Sequence, residues 1–306
     1  MFRASRWMAI LGMATALPLA ALAQAPLVFQ PVTTWPVNKG IGAADYKRGT
    51  FTGVAVDPQG RVFMCHGLAH PVLVFDHAGN FIQSFGEGIF NEPHSVRIDP
   101  NGYVWVVDFK TDQVIKFTPT GAVLQTLGVK YKAGRDKANL FNQPTDIAFG
   151  RNGEIYISDG YGNNRIVHLR ADGTYINEWG TSGKGPGQFH LPHSVCTDAQ
   201  GRVYVADRQN GRIQVFTPDG AFITMWKFKE KPWGVWVGTD QRLYVANGYN
   251  NTVSVLDLNG NMLAHFGKKG HKVGQFEEPH LLTVDTGGAL YVAEVNEHRV
   301  QKFTRE

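Results

Sequence analysis

The feature that most constrains this chain is a sixfold internal repeat with a fixed internal offset. Five copies open at Pro93-His94, Pro144-Thr145, Pro192-His193, Pro232-Trp233 and Pro279-His280. Each begins a β-branched, aromatic-rich run that ends in a turn such as Asp99-Pro100-Asn101-Gly102. A second run follows and ends on a polar residue: Asp108, Asp159, Asp207, Asn247 or Glu294. The residue after Pro and this polar residue are 14 positions apart in all five copies. Thr52 and His66 give a first copy with the same offset of 14. Third and fourth runs complete the unit, as in Arg212–Phe216 and Phe222–Trp226 around the turn Thr217-Pro218-Asp219-Gly220.

Four short strands in a repeat of about 40–50 residues is the signature of a propeller blade. Glycine supplies 35 of 306 residues, as many tight turns require, and no 3.6-residue period is sustained. The sequence therefore predicts an all-β, six-bladed β-propeller of four-stranded antiparallel blades. The sixth copy stops after its third run, at Phe303. Val32-Thr33-Thr34-Trp35 resembles Ile176-Asn177-Glu178-Trp179, the end of the third blade. An N-terminal strand is thus expected to complete the last blade and remove its open edge. With no edge left to pair, a monomer is expected.

The propeller is expected to occupy residues 24–306. Residues 1–23 read as a signal peptide: Arg3 and Arg6, an uncharged apolar stretch from Met8 to Ala21, then the cleavage signal Ala21-Leu22-Ala23. The chain is expected to be exported, periplasmic or secreted, with no membrane span after cleavage. Apolar residues at 43% and charged residues at 18% exclude a disordered chain. A net charge of +4 without a basic run argues against nucleic acid as a partner. Two cysteines, Cys65 and Cys196, exclude a disulfide scaffold and a thiolate zinc cluster. They fall in opposite blades and are expected to be buried free thiols.

The offset turns the repeat into a candidate site. The residue after Pro starts the innermost strand, and the polar residue 14 later ends the antiparallel second strand, so both lie at one mouth of the channel. Around the ring the first position reads Thr52, His94, Thr145, His193, Trp233, His280. Histidine occupies every second blade, so three imidazoles converge on the axis and leave a coordination position open, as in a His₃ zinc site. Imidazole also suits copper, iron and nickel. Three ordinary turn residues would not be expected at equivalent positions of alternate repeats. The second ring position reads His66, Asp108, Asp159, Asp207, Asn247, Glu294. Such acids either hold the far ring nitrogens of metal ligands or bond turn amides. Just beyond lie Tyr161, Arg208 and Tyr249; Tyr161 and Arg208 flank His193 and offer a base and an anion clamp.

These residues carry a resemblance. The repeats resemble NHL repeats, and the chain is similar to peptidyl-α-hydroxyglycine α-amidating lyase, the lyase domain of peptidylglycine α-amidating enzymes. The similarity runs from about residue 50 to 304. It is most specific in Gln143–Ile147, Ser158-Asp159-Gly160-Tyr161, Leu191–Val195 and Ala206–Gln214. The resemblance implies zinc on His94, His193 and His280, with Tyr161 and Arg208 catalytic. The implied reaction cleaves the carbon–nitrogen bond of a carbinolamide to an amide and glyoxylate. Departures are plain. The family's second catalytic arginine is replaced by His66, which lacks the bidentate fork but binds a carboxylate if protonated. An acid supporting calcium in the channel is replaced by Leu281, which puts that calcium in doubt. The family's disulfide positions carry Asn142 with Gly162 and Tyr204 with Val215. The implied partner is a small-molecule or peptide substrate. Two other readings stay open: a non-catalytic propeller binding a peptide or envelope protein partner, and a metal-dependent hydrolase such as a lactonase.

Overall fold

The structure is a computed structural model that describes residues 27–36, 49–67, 69–136 and 140–306. The expected signal peptide lies outside the described residues. Among the described residues six antiparallel four-stranded sheets form the ring; five run along the chain from inner to outer strand, and the sixth takes its outer strand from the N-terminal segment. Their inner strands are Phe51–Val56, Pro93–Ile98, Asp146–Phe149, Pro192–Thr197, Gly234–Val237 and Pro279–Val284. The second strands are buried along their whole length, as in Val104–Asp108 and Val203–Asp207. They are apolar on both faces because each sheet packs against two neighbours.

Alternation along the strands divides the core into six clusters, one at each interface between blades. Phe63 and Cys65 face blade two, whereas Val62 and Met64 face blade six. Tyr244 and Ala246 of blade five meet Leu282 and Val292 of blade six. Cys65 and Cys196 are both buried and free, one between blades one and two, the other between blades four and five.

Closure by the N-terminus is present, with a shifted strand. Phe29–Pro31 pairs antiparallel with Arg299–Arg305, setting Phe29 opposite Arg305 and Pro31 opposite Phe303. The expected segment Val32–Trp35 instead leaves the strand after Val32, whose N–H donates to Lys302 O at 2.8 Å. Trp35 turns into the core, 5.3 Å from Tyr291. Its indole lies against Gly79, where an added Cβ would come within 2.8 Å of the ring. Trp179 lies against Gly220 in the same way. The likeness between the two segments thus recorded the tryptophan's packing place, while the ladder formed three residues earlier.

Candidate metal centre and substrate cup

A local irregularity aims each histidine. In blade two, Pro93 pairs with Asp108 and Ser95 with Val107, so His94 is an extra residue without a cross-strand partner. His193 is extra in the same way between Pro192 and Ser194. In blade six the ladder steps from Pro279 to Leu282 against only two residues of the second strand. A β-bulge of this kind bends the strand and redirects a side chain. Here it turns three imidazoles into the channel mouth, with ring centroids 4.7–4.8 Å apart. One nitrogen from each of His94, His193 and His280 lies within 4.8 Å of the others.

Their protonation is fixed from behind. Nδ1 of His94 lies 2.6 Å from Thr145 O, that of His193 lies 2.8 Å from Trp233 O, and that of His280 lies 2.5 Å from Thr52 O. A carbonyl can only accept, so each Nδ1 carries the proton and each Nε2 keeps its lone pair. Burial pushes His94 down to about 3 and holds His193 and His280 well below the ordinary imidazole value. Three neutral imidazoles with oriented lone pairs and no protein carboxylate among them fit a divalent cation of the zinc type.

The acidic second ring does not supply these clamps. Asp108 accepts from the backbone N–H groups of Asn91, Glu92, Lys110 and Thr111. Asp159 and Asp207 pair with Arg165 and Arg212, and Glu294 with Arg299. They staple loops to strand ends, the plainer of the two expected roles.

Tyr161 and Arg208 complete the cup. Gly160 makes the approach possible, since a Cβ there would sit 2.2 Å from Pro192 O. The Tyr161 hydroxyl lies 3.4 Å from His94 Nε2 and 3.3 Å from His193 Nε2. Burial raises its pKa, opposed by the charge and hydrogen bond of Arg208. The Arg208 guanidinium lies 4.6 Å over the Trp233 ring, and its Nε has no hydrogen-bond partner among the described residues. Trp233 packs 5.6 Å from His193 and 4.8 Å from Tyr249. Phe109, which sequence reasoning did not single out, stands 5.6 Å from His94 and 5.5 Å from Tyr161. Its signal was available: it directly follows Asp108, as Arg208 follows Asp207.

His66 is fully buried, 5.0 Å from Phe51, and a Cβ on Gly49 would lie 1.8 Å from its Nε2. Leu281 is fully buried and apolar, so the implied calcium site lacks its carboxylate. Arg97 and Asp146, on the inner strands of blades two and three, are joined by bonds of 3.0 and 2.7 Å. Arg97 also donates to Leu282 O at 2.9 Å.

The sequence profile of the NHL repeat matches residues 141–169, 189–216 and 276–303. NHL repeat-containing protein 3 of Mus musculus is 33% identical over 295 residues, covering 88% of this chain and 82% of that protein. This chain belongs to the NHL-repeat family. The NHL propeller is also 30% identical to peptidyl-glycine alpha-amidating monooxygenase B of Xenopus laevis over 321 residues. That match covers 89% of this chain and 35% of the relative, so the propeller spans about a third of that enzyme's length. A probable peptidyl-alpha-hydroxyglycine alpha-amidating lyase of Caenorhabditis elegans is 37% identical over 150 residues, 48% of this chain and 43% of the relative. Among the described residues no helix is long and apolar enough to cross a membrane.

Proposed function

We propose that this NHL propeller is an exported, zinc-dependent lyase that cleaves the carbon–nitrogen bond of an α-hydroxyglycine-type carbinolamide. The observation that carries the reading is the Tyr161 hydroxyl set between Nε2 of His94 and Nε2 of His193. A hydroxyl so close to two of the three imidazoles supports a proton-transfer role for Tyr161 beside a cation held there. The similarity to amidating lyases supports the same chemistry.

His94, His193 and His280 would hold the cation through Nε2, with Nδ1 locked on carbonyls. A zinc ion there supplies Lewis acidity toward the carbinol oxygen. Three neutral ligands would leave the charge of such a cation uncompensated, and Arg208 would add to the positive charge of the cup. The cup therefore favours an anionic substrate. Arg208, with Nε free, binds the substrate carboxylate. Tyr161 takes the carbinol proton and delivers it to the departing amide nitrogen. The carbon–nitrogen and O–H bonds break, an N–H bond and a carbonyl form, and the products are an amide and glyoxylate. No water or oxidant is consumed. Burial raises the phenol's pKa against the opposing charge of Arg208, and a cation held by the three histidines would act in the same direction as Arg208. Trp233 and Phe109 wall the cup against water. No step is assigned to His66, which is buried beside Phe51 and Gly49.

Incubation with an N-acyl-α-hydroxyglycine, with and without a zinc chelator, tests this. Stoichiometric amide and glyoxylate that disappear on chelation support it. Absence of product with the zinc-loaded protein favours the second reading, a non-catalytic NHL scaffold for a peptide or envelope partner, which the match across 82% of NHL repeat-containing protein 3 supports.

A further inference from the structure

The carbonyls behind the histidines come from Thr52, Thr145 and Trp233, which hold the same ring position in the three blades between, and two of those residues make a second bond forward. Thr52, whose carbonyl faces His280 Nδ1, donates Oγ1–H to Pro93 O at 2.7 Å. Pro93 immediately precedes His94. Burial keeps the neighbouring Cys65 a neutral thiol, so no thiolate competes for that hydroxyl proton. Thr145, whose carbonyl faces His94 Nδ1, places Oγ1 3.0 Å from Pro192 O, and Pro192 immediately precedes His193.

The Thr145 hydroxyl has other oxygens in reach: Ser158 O at 2.9 Å and Ser158 Oγ at 2.8 Å. Ser158 O already accepts the Thr145 N–H at 2.8 Å. Ser158 Oγ can fill a lone pair of the Thr145 hydroxyl. Ser158 Oγ also lies 3.3 Å from Asp146 O, longer than its 2.8 Å to Thr145 Oγ1, and a Ser158 proton given to Thr145 leaves the Thr145 proton for Pro192 O.

We propose that Thr52 and Thr145 are positioning residues whose hydroxyls join the three metal-ligating histidines into one hydrogen-bonded chain around the channel mouth. The chain passes from His280 to Thr52, across the Pro93–His94 peptide to Thr145, across the Pro192–His193 peptide to Trp233. Every blade contributes one link. Trp233 accepts from His193 but has no hydroxyl to send onward, so the chain is open between blades five and six. His94 stands at its centre, with its ring held by one threonine and its peptide by the other. His94 and His193 lack ladder partners, and each hydroxyl holds the carbonyl of the peptide that leads from the last paired residue into the bulge. Outer partners that orient metal-binding imidazoles strengthen metal affinity by about 10–100-fold.

The proposal rests on the metal reading of the three histidines. It is tested by zinc affinity of the tag-free protein, measured by competition with a chromophoric chelator, for wild type, Thr52→Val, Thr145→Val and the two Thr→Ser variants. Each Val variant is expected to bind zinc about 10-fold more weakly, with the Ser variants near wild type. Rescue by Ser separates the hydroxyl from the packing of the threonine methyl. Val variants that bind zinc as tightly as wild type overturn the positioning role while leaving the metal site intact. Ser variants that lose as much as Val overturn it too. Wild type that binds no zinc overturns the metal reading and this proposal together. Should a Val variant fail to fold, Thr→Ala at the same position is expected to show the same loss.

Discussion

The Tyr161 hydroxyl stands 3.3 Å from Nε2 of His193, with the Arg208 guanidinium 5.6 Å from the phenol ring centroid. Tyr161→Phe removes the oxygen and keeps the ring that packs on Phe109. Lyase turnover should fall by about 10²–10⁴, the span usual for a positioned proton-transfer group. Zinc content should stay at the wild-type level. A variant with wild-type turnover would remove Tyr161 from the reaction.

Arg97 and Asp146 form a fully buried bidentate pair, and Ser194 donates to the same carboxylate at 2.6 Å. Breaking such a pair strands a buried charge, at a cost of about 3–5 kcal/mol. Asp146→Asn should lower the urea midpoint by a corresponding amount. Unchanged denaturation would show that water reaches the channel core.

Trp35 is the buried residue of the closing segment, while Leu27, Phe29 and Val32 are partly buried. Trp35→Ala should destabilise the propeller by about 3–5 kcal/mol through the cavity left beside Tyr291. A shift of less than about 1 kcal/mol would contradict the packing of Trp35 between blades six and one.

Burial holds both thiols above their ordinary pKa, so neither presents a thiolate near neutral pH. A maleimide at pH 7.5 should leave Cys65 and Cys196 unlabelled in the folded protein and label both after denaturation. Rapid native labelling of Cys65 would contradict its enclosure between blades one and two.

Much of this was readable before the structure because repeats make positions comparable. The offset shared by His94, His193 and His280 needed only counting. The clamps behind them were not readable: Thr52, Thr145 and Trp233 act there through main-chain carbonyls, which no residue letter records. The bulges that aim the histidines are equally silent, since a ladder slip follows from pairing rather than composition. The closing strand was misplaced because Trp35 matches Trp179 in packing, not in register. Phe109 escaped notice because its position in the other blades is filled by glycine, valine or Arg208.

The most direct test is the metal content of the tag-free protein by mass spectrometry, wild type against His193→Ala. The account predicts about one zinc per chain in wild type and its loss in the variant. No metal in wild type, even after zinc is offered, would contradict the three-histidine centre and leave an NHL scaffold.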